Sequence, residues 1–251
     1  MGPPPQYPRV PQLVARRGSR DDLVLGDGEV AALLAHPVVV EEKLDGANVV
    51  IWADETDGVE CALRSGPGSM DRAGQRGPLR AWVAAHGDAF RPALEAWPVL
   101  YAEWMLLSHS VAYDRLPSYL VALDLWREHD GFASVDERDS ICRAAGLVTP
   151  PELWRGTPTT LEDVEALAGR STWGEGPMEG VVVRRVDQGP SGPLSGKQGP
   201  SGPGSQPPPR LAKLVRAEFA RVGDEDWRSG RPRNRLAAAP DPLKRGAASW
   251  R

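Results

Sequence analysis

The chain has 251 residues, enough for one sizeable core, and its 30 basic against 34 acidic side chains leave a formal charge of −4. That balance excludes a global basic footprint, so any nucleic-acid surface must be local. Two distant cysteines, Cys61 and Cys142, lack CxxC or Cys/His spacing, and there is no leader-like apolar stretch, no myristoylation pattern after Gly2 and no run long enough to span a bilayer. Reduced thiols, a cytoplasmic location and no membrane partner are therefore expected.

Residues 1–27 are rich in Pro, Arg and Asp and read as an extended arm with little structure of its own. Asp27 to Ala35 reads as a short capped helix. Pro37-Val38-Val39-Val40 then leads into Glu41-Glu42-Lys43-Leu44-Asp45-Gly46-Ala47-Asn48, and Val49-Val50-Ile51-Trp52 leads out. Both flanks are β-branched and short, as buried strands are. Asp-Gly followed by Ala-Asn is turn chemistry, which puts a lysine at the mouth of a tight turn beside three carboxylates. The plain reading is a solvated charge cluster at a hairpin; the functional one is an activated lysine.

Glu60 to Ser65 reads as a third strand, ended by Gly66-Pro67-Gly68. Residues 70–86 are amphipathic, with Leu79, Trp82 and Val83 on one face and Arg72, Arg76 and Arg80 on the other, although Gly74, Gly77 and Pro78 weaken the first half. A second helix is expected over 88–96. Val99 to Met105 and Tyr119 to Trp126 are apolar strands, each with one acid, Glu103 and Asp124. A carboxylate in a buried strand is costly unless it is paired or used.

Ser134-Val135-Asp136-Glu137 opens a helix with a capping box, running to Ala145 and stopping at Gly146; Thr160 to Asp163 opens another, ending near Gly169. Glu179 stands at the entrance of a strand reaching Arg185. Residues 187–209 are Gly, Pro, Ser and Gln, best read as a disordered loop inside the domain, the alternative being an interdomain linker. Leu211 to Arg216 is the last strand. Arg228, Arg231, Arg233, Arg235, Lys244, Arg245 and Arg251 make the tail locally basic, for holding phosphates or simply solvated. The expected fold class is α+β, with mainly antiparallel β-sheets flanked by helices. The expected domain spans 28–222, with a short basic tail over 223–251.

In order along the chain, these elements resemble the covalent nucleotidyltransferase superfamily, which includes DNA ligases, RNA ligases and capping enzymes, and within it the RNA ligases of the RNA ligase 2 type. Lys43-Leu44-Asp45-Gly46 resembles motif I, KxDG, and Asn48 extends it to the KxxGxN form that favours RNA ligases. Arg64-Ser65-Gly66 resembles motif Ia, Tyr101-Ala102-Glu103 motif III, Tyr119 to Trp126 motif IIIa, Glu179-Gly180-Val181-Val182 motif IV and Lys213 with Arg216 motif V. Each motif alone is weak; six in order over 37–219 are specific. Motif V departs from the common KxK, and the segment before it is unusually long.

The resemblance implies a ligase-type adenylyltransferase domain of ATP-grasp-like build, here without a C-terminal OB domain. It implies ATP as substrate and Mg2+ as cofactor, with Lys43 becoming adenylylated. Lys213, Arg64 and Glu179 would be catalytic, with Glu179 the metal ligand. Glu42, Asn48, Tyr101, Glu103 and Arg216 would be nucleotide-binding, with Tyr101 stacked on adenine and Glu103 on the ribose. The partners would be RNA with 5′-phosphate and 3′-hydroxyl ends, and the use would be RNA repair.

The chemistry constrains these roles. A lysine attacks phosphorus only when neutral, and with an ordinary pKa of about 10.4 only on the order of one in a thousand is neutral at pH 7. Desolvation and a nearby cation, best Lys213, lower that pKa, while Glu42 and Asp45 raise it. Plainer readings stand beside each role. Tyr101 has a plainer reading as core, Asp124 as an arginine's partner, Arg184 and Arg216 as edge charges, and His109 as a structural histidine. The alternative functions are a minimal ligase of DNA or hybrid nicks, and a non-catalytic nucleotide or RNA-end binding module on the same fold.

Overall fold

The computed structural model describes residues 4–15, 23–53, 58–64, 74–186, 209–219 and 231–237. In chain order the elements are α1 (Asp27–Leu34), β1 (Val38–Glu42), β2 (Ala47–Ala53), β3 (Val59–Leu63), α2 (Arg76–Ala85), α3 (Gly87–Ala96), β4 (Val99–Trp104), β5 (Leu120–Arg127), β6 (Gly131–Phe132), α4 (Val135–Ala144), β7 (Glu152–Gly156), α5 (Leu161–Ala166), β8 (Gly180–Arg185) and β9 (Leu211–Val215). The fold is α+β, with two antiparallel sheets flanked by helices. One sheet runs β7-β1-β8-β9 and the other β3-β2-β4-β5-β6.

Local chemistry sets the helix starts. At α1 the Glu29 carboxylate accepts from the Gly26 amide at 2.8 Å. At α5, Thr160 Oγ1 accepts from the Asp163 amide at 3.3 Å and Asp163 accepts from the Thr160 amide at 2.8 Å, a complete capping box. At α4 only half of the expected box forms. Ser134 Oγ accepts from the Glu137 amide, but the Glu137 carboxylate turns to the Trp97 indole N–H at 3.1 Å and ties α4 to the end of α3.

The period-two alternation of the strands divides their side chains between faces. Val49, Ile51, Leu100, Ala102 and Trp104 point toward Leu79, Trp82 and Val83 of α2 and Phe90 and Leu94 of α3. In the other sheet, Val38, Val40, Val181, Val183, Ala212 and Leu214 pack under Leu33 of α1 and Val164 of α5. The remaining rows look toward each other across the two sheets: Glu41, Arg184 and Lys213 on one side, Asn48, Tyr101, Glu103 and Asp124 on the other.

Two expectations change here. β1 and β2 are not a hairpin: they belong to different sheets, and Lys43 to Gly46 is the crossing between them. The arm is also more than an extended tail. Tyr7, Gln12 and Leu13 are buried, and Gln12 bridges in parallel to both Val24 and Lys213. Leu13 donates to the Lys213 carbonyl at 2.8 Å and Lys213 donates to the Pro11 carbonyl at 2.8 Å, so the arm extends the β9 edge. The expected disordered loop lies, up to residue 208, outside the described residues, as do Ser65 and Gly66.

Candidate active site

The lysine loop is held at every residue. Lys43 donates its backbone N–H to the Gly180 carbonyl at 2.9 Å. Its Nζ donates to Glu179 Oε2 at 2.5 Å, with the two side chains 22% and 14% exposed. Leu44 is buried against Met105, Val111 and Tyr113. The Asp45 carboxylate accepts from the Ser110 amide at 2.5 Å and the Val111 amide at 2.8 Å, and its own amide donates to the Tyr113 hydroxyl at 3.0 Å. Gly46 donates to Glu103 Oε1 at 3.1 Å. Only glycine fits there, because a Cβ would stand 2.6 Å from the Trp104 carbonyl oxygen. Glycine is equally required at Gly180, where a Cβ would stand 1.9 Å from the Leu214 carbonyl oxygen of β9. That close approach brings Lys213 near enough to Glu179 to favour its charge.

Three titratable groups of this cluster depart from their ordinary values. Burial pushes the Lys43 amine down, but contact with Glu179 and the fields of Asp45 and Glu103 outweigh it, so its pKa is raised and the group is held as an ammonium. Burial raises Glu179, against the opposing pull of Lys43 and Lys213. Burial also raises Glu103, to about 7. Beside them, His109 Nδ1 lies 3.8 Å from Asp45 Oδ1, and burial lowers its pKa against that carboxylate's pull. Among the described residues no group of three or more His, Cys, Asp or Glu is placed to hold a metal by itself. A cation that binds through one or two carboxylates plus substrate phosphates, as magnesium does, matches the donors present.

The structure thus brings three motif residues together: Lys43 is paired to Glu179 at the entrance of β8, and Glu103 of β4 is bound to the lysine loop through Gly46. A family model described as RNA ligase matches residues 36–194, well over half of the chain and including all of these groups except Lys213. The chain belongs to the RNA ligase family. The ligase fold is also seen in solved structures. A Naegleria gruberi RNA ligase with PPi superposes with a TM-score of 0.52 at 14% identity, covering 87% of this chain and 62% of that one. A lysine-to-alanine mutant of the same ligase with ATP and Mn gives 0.52 at 14% identity, covering 86% and 59%. A glutamate-to-alanine mutant with ATP and Mn gives 0.51 at 14% identity over the same shares. The chain thus spans about three fifths of the length of the ligases it matches. No curated protein sequence matches it.

Within this ligase-family site the expected residues take different places. Asn48 and Glu103 are cross-strand partners on β2 and β4, and Asn48 Nδ2 lies 3.5 Å from the Ala102 carbonyl. Arg64 is exposed at the end of β3 and donates its amide to the Asn48 carbonyl at 2.9 Å, which sets these two residues side by side. Tyr101 is in the right row but offers no face to a base. It is fully buried, closed in by Tyr7 at 5.0 Å and Phe132 at 6.0 Å between ring centroids, and its hydroxyl donates to the Pro5 carbonyl at 2.8 Å. Adenine stacking on Tyr101 is therefore corrected to core packing under the arm.

Glu42 and Arg216 likewise have structural partners where nucleotide contacts were expected. The Glu42 carboxylate, 1% exposed, accepts from the Ser171 hydroxyl at 2.6 Å and the Thr172 amide at 2.7 Å. Arg216 donates to the carbonyls of Ala168 and Gly169 at the end of α5 and pairs with Glu218 at 2.5 Å.

Arg184 is not an edge charge. It is buried, bonded to Glu41 at 2.6 Å and Asp124 at 2.7 Å, in a network that adds Arg138, Arg210 and the Tyr7 hydroxyl. Asp124 is thus an arginine's partner, its pKa lowered because Arg184 and Arg210 outweigh its burial.

Several residues that shape the site carry no motif. Ser171 and Thr172 hold Glu42, Tyr113 holds the Asp45 amide, and the amides of Ser110 and Val111 hold its carboxylate. All lie in loops remote in sequence from the lysine, where no periodicity marks them.

Proposed function

We propose that the chain is an ATP-dependent RNA ligase that forms a lysyl-AMP at Lys43. The observation that carries this reading is the Lys43 Nζ–Glu179 contact at 2.5 Å, at the crossing between two sheets with Glu103 alongside. The Naegleria gruberi ligase structures with ATP and Mn support the choice of nucleotide and of a divalent ion.

In the first step Lys43 Nζ bonds to the α-phosphorus of ATP, the bond to the bridging β-phosphate oxygen breaks, and pyrophosphate leaves. The amine must first lose its proton to solvent; Glu179 holds it as an ammonium, and Glu179 engaged by a magnesium ion would leave the pair and so lower the amine's proton affinity. Lys213 and Arg64 are the cations for the charge that develops on the α-phosphate. Magnesium on Glu179 would supply further neutralisation of the triphosphate. AMP then passes to an RNA 5′-phosphate oxygen, releasing Lys43. A 3′-hydroxyl attacks that phosphate, expelling AMP and joining the strands. On this reading Glu103 would contact the ribose, and Asn48 and Arg64, side by side on β2 and at the end of β3, would take the 5′-phosphate end.

The test is incubation with α-labelled ATP and Mg2+, followed by a denaturing gel. The wild type acquires acid-labile label and Lys43→Ala acquires none; a labelled Lys43→Ala overturns the reading. Sealing of nicks with RNA or DNA 3′-hydroxyl strands then decides between an RNA ligase and a DNA or hybrid nick ligase.

A further inference from the structure

The basic tail is read from sequence as solvated or phosphate-holding, yet residues 231–237 are built into the molecule beside the lysine loop. Asn234 is 3% exposed. Its Nδ2 donates to the Met105 carbonyl at 2.8 Å and its Oδ1 accepts from the Tyr113 amide at 2.9 Å. Its amide donates to the Leu106 carbonyl at 2.9 Å, and its carbonyl accepts from the Tyr119 hydroxyl at 3.1 Å. Around it, Ser108 donates to the Pro232 carbonyl, Arg235 to the Tyr113 carbonyl, Leu116 to the Arg235 carbonyl and Ala237 to the Leu116 carbonyl. One asparagine thus satisfies both ends of the 105–113 loop at once, which an aliphatic residue cannot do.

That loop holds the lysine loop in turn. Its Ser110 and Val111 amides bind the Asp45 carboxylate, and its Tyr113 hydroxyl accepts from the Asp45 amide. A second connection is apolar: Leu236 packs in the cluster that contains Leu44, Met105, Val111, Tyr113 and Leu116. Leu44 and Asp45 directly follow Lys43. The tail therefore reaches the nucleophile's neighbours by a polar and by an apolar path, each through a single intermediate loop.

We propose that Asn234 is a positioning residue for Lys43, and that residues 231–237 form a strap setting the lysine loop for attack without touching the nucleotide. This rests on the reading of Lys43 as the nucleophile. A displacement of about 1 Å at a reacting group costs on the order of a hundred-fold in rate. A loosened strap therefore acts on the rate of adenylylation, while ATP affinity and the fraction of chain that becomes labelled stay the same. A residue important only for folding does the reverse: less chain is labelled, at the wild-type rate.

The experiment compares full-length wild type, Asn234→Ala and Lys43→Ala with α-labelled ATP and Mg2+, following labelling in time over a range of ATP concentrations. The expected result for Asn234→Ala is a rate at saturating ATP about ten- to a hundred-fold lower, with the final labelled fraction and the ATP dependence unchanged. Leu236→Ala, which removes apolar contact without leaving a buried polar group unpaired, is the second variant. It is expected to slow labelling in the same way and keeps the test open if Asn234→Ala does not fold. Labelling at the wild-type rate in the folded variants, or a loss confined to the labelled fraction, overturns the strap and leaves the ligase reading intact. An unlabelled wild type overturns the ligase reading, and the strap's role with it.

Discussion

Glu103 shows what burial does to one carboxyl group at the site. Its pKa is pushed from 4.5 to about 7, chiefly by desolvation, while the nearby Lys43 and the Gly46 amide pull it down. Between these two values the native chain binds more proton at Glu103 than the unfolded chain does, so the group's contribution to stability falls as pH rises across that window. Glu103→Gln, neutral at every pH, is expected to flatten the dependence of urea-unfolding free energy on pH between 4.5 and 7. An unchanged slope would place the titration elsewhere. Lys43 acts in the opposite range. Its raised pKa gives a contribution that is complete below the ordinary lysine value and is lost as pH climbs through the native one.

Between elements, the main polar connection is the buried charge network. Glu41 of β1, Asp124 of β5, Arg138 of α4 and Arg184 of β8 are each no more than 4% exposed at the side chain, and they join both sheets to a helix. Such a network adds little net stability over apolar packing, but removing one member leaves its partners charged and unpaired. Arg184→Ala orphans contacts on both Glu41 and Asp124, and is expected to cost about 3–5 kcal/mol in chemical unfolding. A cost below about 1 kcal/mol, typical of exposed ion pairs, would mean that water reaches the network. The acids divide by place: Glu41 and Asp124 hold the sheets together, Glu42 and Asp45 hold the loops, and Glu103 and Glu179 flank the lysine.

Across the whole molecule, the N-terminal arm joins the two halves. Tyr7 packs with Tyr101, Trp126 and Phe132 on one sheet, whereas Leu13 packs with Leu33, Val38 and Ala212 on the other. Deleting residues 1–15 removes both anchors, the Tyr7 hydrogen bond to Asp124 and the pairing with Lys213. Two large buried side chains at about 1.5–3 kcal/mol each give an expected loss of roughly 3–6 kcal/mol, read as a lower thermal midpoint. A truncated chain that unfolds at the wild-type midpoint would show that the sheets do not need the arm. The same arm closes the face of Tyr101 on which a base was expected to stack.

What the sequence determined by itself is local or ordered along the chain. The β-branched and apolar runs make β1, β2, β4, β5, β8 and β9, the Thr160 and Ser134 caps start α5 and α4, and the motifs from Lys43 to Glu179 fall in the stretch that marks the family. These rest on propensity, capping and spacing, which are properties of neighbouring residues. Only the tertiary structure decided which partners the charged and aromatic residues take. Lys43 meets Glu179 across 136 positions, Asp124 meets Tyr7 across 117 and Asn234 meets Met105 across 129. The same Asp-Gly sequence suits a hairpin turn or a crossing between sheets, and the choice depends on where β4 and β8 supply hydrogen-bonding partners for the strands on either side. Burial, which decides whether Glu103 keeps its proton and whether Tyr101 is free for a ligand, arises only when these distant segments pack together.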